Sequence, residues 1–145
     1  MGHMNVMWYT GKFDEASWQF LSNLGLTRKT LGDSNRAMGA VQQNITYKSE
    51  LYAGDLITVR TCVLEVLEKT IKLLHTMENN ETSEIAAESE ITGVYFDAAS
   101  RKSIAFSDEI RSRAKELMRD KEGIIPAFVH ENDGGRVLNR PVSFS

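Results

Sequence analysis

Residues 5–25 read NVMWYTGKFDEASWQFLSNLG, and their periodicity decides the fold. Val6, Thr10, Phe13, Ser17, Phe20 and Leu24 recur at steps of three and four, with Met7, Ala16 and Leu21 widening the stripe. That spacing predicts a helix over residues 5 to 24. Lys12, Asp14, Glu15, Gln19 and Ser22 fall mostly on the opposite side. Asn5 is placed to cap the start, and Gly25 to stop the helix. A stripe this broad, carrying Phe13, Trp18 and Phe20, calls for a helix wrapped by other structure rather than one lying on a surface.

The rest of the chain supplies the wrapping. After a polar loop, Arg28 to Arg36, the residues Val41, Gln43, Ile45, Tyr47, Ser49 and Leu51 alternate with polar neighbours, the period of a strand. Ala53-Gly54-Asp55 reads as a turn. Residues 56 to 68 are apolar on both faces, which suits a central strand. A strand from Ile71 to Met77 follows, then a hairpin turn at Asn79-Asn80-Glu81. Another strand covers 83 to 97, where Gly93 is a candidate bulge. Asp97 to Ser103 reads as a turn, and a second helix near 108 to 121 starts from Ser107 or Asp108. The order predicts an α+β domain: one long central helix, then a strongly twisted antiparallel sheet that buries it. Residues 122–145, with both prolines, read as an irregular C-terminal arm without an assigned role, holding at most a short strand at Ala127 to His130.

Composition narrows the function classes. At 145 residues, with 17 basic and 20 acidic side chains and a net charge of −3, the chain is one ordinary globular domain with a core of its own. It has no basic block for nucleic acid. No run is long and apolar enough to span a membrane, and no secretion signal stands at the front. Cys62 is the only cysteine, which leaves no disulfide or cysteine-rich metal site and points to the reducing cytoplasm.

Gly2-His3-Met4-Asn5, opening the long helix, Tyr47, Glu50-Leu51 and Gly54-Asp55-Leu56 together resemble the hotdog-fold acyl-CoA thioesterases, in the branch of 4-hydroxybenzoyl-CoA thioesterase. The resemblance covers about residues 2 to 118. It implies a hotdog fold over residues 1–121, hydrolysis of an acyl-CoA to free acid and CoA, no metal or other cofactor, and a site at the interface of a homodimer or of a tetramer built from two dimers. The tetrad looks closest to the betainyl-CoA thioesterase subgroup. Where that subgroup has a glutamate-glutamine-histidine run, this chain has Gln42-Gln43-Asn44, so the quaternary-ammonium substrate is not carried over.

Thioester hydrolysis needs a donor for the charge that develops on the carbonyl oxygen, and a helix N-terminus offers one. In the family a backbone N–H of the first helical turn does this, a position that falls at or near Val6. The resemblance makes His3, Asn5 and Val6 the catalytic candidates, and Trp8, Tyr9, Gln42, Gln43, Asn44 and Tyr47 the substrate-binding ones. Each has a plainer role open to it: His3 and Asn5 as caps, Gln43 as a satisfied structural amide, the aromatic residues as core.

The reaction also needs a nucleophile or a water activator. The family's aspartate stands three residues before the glycine of the tetrad, a position ahead of Met1. The residues leave four readings open: a native start further upstream, another carboxylate (Asp14, Glu15, or Glu50 from a neighbouring subunit), acyl-CoA binding without hydrolysis, or a Gly2-His3-Met4 segment added by cloning that only mimics the motif. An acyl-CoA hydratase would need a histidine paired with a helix carboxylate, for which Asp14 and Glu15 are the available residues. His75, alternating with Leu73 and Met77, reads as a packed histidine. His130 reads as part of a solvated turn. Arg101-Lys102 is a candidate contact for CoA phosphates or a plain surface turn.

Overall fold

The computed structural model describes residues 6–52, 54–119, 125–133 and 136–140. A long helix α1 (Val6–Asn23) and a short one, α2 (Arg28–Asp33), precede four strands, β1 (Arg36–Tyr47), β2 (Leu56–Val66), β3 (Thr70–Asn79) and β4 (Ile85–Asp97). Helix α3 (Asp108–Arg119) and strands β5 (Ile125–Asp133) and β6 (Arg136–Arg140) follow. The strands form one sheet in the order β1-β4-β3-β2-β5-β6, every neighbour antiparallel.

Helix α1 ends as its sequence dictates. Gly25 adopts φ +81, its N–H bonds the Ser22 carbonyl at 3.0 Å, and the Leu26 N–H bonds the Leu21 carbonyl at 2.9 Å. This double closure needs a left-handed residue, which glycine supplies at no steric cost. Leu21 and Leu26 are both buried in the same apolar cluster.

The helix lies across the sheet with two core clusters beneath it. Under its first half, Tyr9 and Phe13 pack with Leu51, Ile57, Val59 and Met77. Under its second half, Phe20, Leu21 and Leu24 pack with Val63, Ile71 and Leu73. The N-terminal half of α1 therefore sits over the start of β2, and the C-terminal half over its end. The outer face of the sheet carries cross-strand ion pairs, among them Lys48–Glu88 at 3.2 Å and Arg60–Glu78 at 3.5 Å, each contributing at most about 1 kcal/mol.

Several expectations need correcting. The segment read as a polar loop contains α2, started by a reciprocal cap in which the Thr30 N–H donates to Thr27 Oγ1 and the Thr27 N–H donates to Thr30 Oγ1. Threonine does here what glutamate does in the commoner box. Strand β1 begins at Arg36, earlier than expected, and stops at Tyr47. The irregular arm is overturned in its middle: Ile125–Asp133 pairs with β2, from Leu56↔Glu131 to Thr61↔Ile125, and Arg136–Arg140 pairs with β5. The bulge expected at Gly93 lies across from it, where Val41 is the extra residue between the pairs Ala40↔Gly93 and Gln42↔Thr92. Lys12, expected to face solvent, is 5% exposed, with its ammonium 3.1 Å from Glu15.

Candidate active site

The register of β1 decides which of its side chains meet the helix. Opposed residues of an antiparallel pair share a face, and Ser89, opposite Ile45, is fully buried. Gln43, Ile45 and Tyr47 therefore share the helix side. Gln42 and Asn44 fall on the outer face, opposite Thr92 and Glu90, and both are exposed. The Val41 bulge lifts Val41 off the apolar face, and it is 64% exposed.

Three cavities follow one another along the flank of α1. The first, about 340 Å³, is lined by Val6, Tyr9, Tyr47, Lys48, Ser49 and Glu50, with Leu51 closing it. The second, about 450 Å³, lies between α1 and β1, and Val6 belongs to its wall too, with Met7, Asp14, Ala40, Gln43 and Ile91. The third, about 80 Å³, continues from it, sharing Asp14, Ala40 and Ile91 and adding residues such as Ser17, Leu21 and Met38. Val6 stands at the first junction and Asp14 at the second.

The aromatic candidates come together at the first cavity. Tyr9 meets Trp8 edge-on with centroids 5.3 Å apart and Tyr47 at 5.0 Å. Trp8 and Tyr9 are buried while Tyr47 is 47% exposed, so Trp8 serves the core and Tyr9 and Tyr47 face the cavity. Burial pushes the Tyr9 phenol above its usual value, a hydrogen bond with the Leu51 backbone opposing that shift. Gln43 donates to Ser89 Oγ at 3.1 Å, which satisfies that buried hydroxyl and leaves the Gln43 carbonyl available to the second cavity. His3 and Asn5 lie outside the described residues.

The carboxylates separate. Glu50 shares the first cavity with Val6 and accepts from the Tyr52 hydroxyl at 2.7 Å. Asp14 is eight residues further along the helix than Val6, about 12 Å along the axis at 1.5 Å per residue. Glu15 holds the buried Lys12. Arg101 stacks on Phe96 with its guanidinium 5.6 Å from the ring centroid. It follows the β4 end that pairs with Arg36, whereas the helix start lies near Tyr47, the other end of β1. Arg101-Lys102 is not brought to this site.

One polar arrangement escaped the sequence reading. His75, fully buried and stacked on Phe13 at 6.0 Å, lies between two hydroxyls, with Ser17 Oγ 2.7 Å from Nε2 and Thr61 Oγ1 2.7 Å from Nδ1. Burial lowers its pKa to about 4, so it is neutral at pH 7. The signal was available: Ser17 is the polar member of an apolar helix stripe, and His75 the polar member of an apolar strand face. Lys48 and Ser49 were also missed as cavity residues. Among the described residues no group of three His, Cys, Asp or Glu side chains could hold a metal ion.

Known proteins bear on this geometry. A model of the thioesterase-like superfamily matches residues 1–114. The long-chain acyl-CoA thioesterase FadM of Escherichia coli strain K12 is 24% identical over 117 residues, 81% of this chain and 88% of FadM. A Staphylococcus aureus protein solved in complex with CoA superposes with a TM-score of 0.79 at 22% identity, over 83% of this chain and 75% of its own. A DHNA-CoA thioesterase, also from Staphylococcus aureus, superposes with a TM-score of 0.72 at 21% identity over 86% of each chain. The six-stranded sheet around α1 is the hotdog architecture, and the chain belongs to the thioesterase-like superfamily, a membership that carries thioester hydrolysis with it.

Proposed function

We propose that the protein hydrolyses an acyl-CoA thioester to the free acid and CoA at the N-terminal end of α1. The observation that carries this is the cavity of about 340 Å³ whose wall joins Val6, in the first described turn of α1, to Tyr9, Tyr47 and Glu50. N–H groups of a first helical turn have no partner within the helix and sit at its positive end. The Val6 N–H donates to the thioester oxygen, and the charge that develops there in the tetrahedral intermediate strengthens the bond. Donors of this kind are worth about a hundredfold to a thousandfold in rate.

Glu50 takes a proton from the attacking water, the carbonyl carbon forms its new C–O bond, and the C–S bond breaks to release the CoA thiolate, which is then protonated. Glu50 has this role because it shares with Val6 the cavity at the helix start, while Asp14, which shares the second cavity with Val6, stands about 12 Å further along the axis and Glu15 holds Lys12. His3 and Asn5 frame the carbonyl, as the family resemblance implies. The CoA-bound Staphylococcus aureus structure supports CoA recognition on this fold. Gln42 and Asn44, on the outer face, take no part. The amides at 42 to 44 offer no charge for a betainyl group.

The site lies at the interface of a homodimer. β1 is a 12-residue strand at one edge of the sheet, with Val41 and Tyr47 exposed, and an uncovered edge of that length is a template for pairing with a second copy. Among the described residues no helix is long and apolar enough to cross a membrane, which fits action in the cytoplasm. The test is release of free thiol from short, long and aromatic acyl-CoAs. Turnover that falls at least tenfold in Glu50→Gln supports the assignment. CoA binding with no thiol release from any substrate would overturn hydrolysis.

A further inference from the structure

We propose that Tyr52 is a positioning residue of the hydrolytic site: its hydroxyl donates to Glu50 Oε2 and holds the carboxylate at the wall of the first cavity, where the attacking water meets it. This rests on the reading of Glu50 as the base and adds the residue that aims it.

Glu50 stands on the connection between β1 and β2, and its backbone is anchored on both sides. Before it, the Lys48 and Ser49 N–H groups donate to the Ala86 carbonyl at 2.8 and 3.2 Å, and the Ser49 hydroxyl donates to the Ile85 carbonyl at 3.2 Å. After it, Leu51 is 1% exposed in the core under α1. These anchors fix where Glu50 leaves the chain, but not where its carboxylate goes. The side chain is exposed, and a glutamate in water turns freely about its side-chain bonds. A base must lie within hydrogen-bond reach of its water, so a partner has to set the direction.

Tyr52 is that partner. Leu51 turns into the core while the side chains flanking it, Glu50 and Tyr52, meet. The Tyr52 hydroxyl lies 2.7 Å from Glu50 Oε2, the length of a hydrogen bond to a charged acceptor. A carboxylate takes a proton on one oxygen, so a donor on Oε2 orients the group and leaves it a base. The hydrogen bond to Glu50 raises the phenol above its ordinary value, so the donor keeps its own proton at neutral pH.

The donor is itself held. The Tyr52 N–H donates to Asp55 Oδ2 at 2.8 Å, the Asp55 N–H donates back to the Tyr52 carbonyl at 3.1 Å, and Gly54, at φ +91, supplies the left-handed corner between them. Asn79, buried at the end of β3, has its amide nitrogen 3.5 Å from the same Asp55 oxygen and accepts from the Glu81 N–H at 2.9 Å. A line of contacts thus runs from the sheet to the base through Asn79, Asp55, Tyr52 and Glu50. Tyr52 is not part of the wall of the first cavity, so it acts on Glu50 rather than on substrate.

The test is steady-state thiol release from the acyl-CoA that the wild-type protein turns over fastest. Tyr52→Phe keeps the ring and removes the hydroxyl. It should lower kcat about tenfold, as expected for a slightly misdirected catalytic group, with KM and Tm unchanged. In a Glu50→Gln background the same change should move kcat by less than about twofold, because the hydroxyl acts only through the carboxylate. Alkaline difference spectra of wild type against Tyr52→Phe give a readout independent of turnover: the phenol should titrate above its ordinary range and move back toward it in the Glu50→Gln background. An unchanged kcat in Tyr52→Phe, a loss that falls on KM, a loss undiminished in the Glu50→Gln background, or a phenol that titrates alike in both backgrounds would each overturn the proposal. Thiol release slowed by Glu50→Gln but not by Tyr52→Phe counts against Tyr52 alone. No thiol release from any acyl-CoA, or release that Glu50→Gln leaves intact, counts against the base itself and removes the role of Tyr52 with it.

Discussion

Acid should destabilise this protein through one side chain. His75 has no exposed surface and no counter-charge among its hydrogen-bond partners, only the hydroxyls of Ser17 and Thr61, each at 2.7 Å. The Ser17 hydroxyl donates to the Phe13 carbonyl at 3.1 Å, so it accepts from Nε2–H while Thr61 donates to Nδ1; the neutral ring is satisfied, and the cost of charging it is the cost of desolvation. Burial lowers the pKa from 6.5 to about 4. The unfolded chain therefore binds a proton between those values that the folded chain refuses. The contribution is fully present above pH 6.5 and is lost as pH falls toward 4. Integrated over the shift, the loss is about 2 kcal/mol at pH 5 and about 3 kcal/mol at pH 4.

Urea denaturation read by tryptophan fluorescence suits the measurement, because Trp8 is 8% exposed in the fold. With a slope of about 2 kcal/mol per molar, the midpoint should drop by about 1 M between pH 7 and pH 5 from this residue alone. Carboxylates also titrate in that window, so the control is His75→Gln, which keeps hydrogen-bonding groups but cannot charge. The variant should be less stable at pH 7 and should show a shallower decline. Equal declines in the two proteins would refute the reasoning, because the desolvated imidazole would then not be the group that resists protonation.

Other perturbations have equally definite outcomes. Gly25→Ala forces a side chain into φ +81 and should cost about 1 kcal/mol in chemical denaturation, whereas Gly11→Ala, within the helix and with open space around it, should stabilise by a similar amount. Phe13→Ala empties a fully buried position between α1 and the sheet and should cost about 3 to 5 kcal/mol, seen as a fall in Tm. Val41→Lys puts a charge on the open edge of the sheet and, if β1 pairs two copies as proposed, should shift the protein to monomer in analytical ultracentrifugation, with thiol release falling alongside. A variant that stays dimeric would remove β1 from the interface.

The helix and the four-strand order were legible because each has a single dominant period. Val6 to Leu24 repeats at helical spacing, and β2, apolar on both faces, announced that it would have neighbours on both sides, as it does in β3 and β5. What failed were features set by partners distant in sequence. Lys12 looked exposed because a lysine gives no local sign that it will be covered, and it is buried with its charge against Glu15. Val41 falls on the apolar parity of its strand because alternation alone cannot show an inserted residue, and the bulge turns it out to solvent. The strand at Ile125–Asp133 carries a proline and follows no alternation, since its pairing is dictated by the free edge of β2 rather than by its own pattern.

Near the helix start, Tyr9 stands beside the motif in sequence, whereas its ring contact with Tyr47, 5.0 Å between centroids, depends on the register of β1 and has no local sign. Glu50 could be named but not placed, because its position depends on how the chain turns between β1 and β2. The separation of Asp14 from the helix start was available from arithmetic alone, given a continuous helix.

The pairing of β5 with β2 also sets an order of events during synthesis. Strands β2, β3 and β4 are joined by short turns and form a local meander, which can assemble soon after residue 97 emerges. The far side of β2 waits for a segment 64 to 75 residues downstream, from Thr61↔Ile125 to Leu56↔Glu131. Until then an apolar strand lies open along one edge, the state in which chains pair with the wrong neighbour. Closing so long a loop is slow compared with forming hairpins, so β5 joins the sheet after the meander has formed, and the interval before it arrives is when the nascent sheet is most exposed to mispairing.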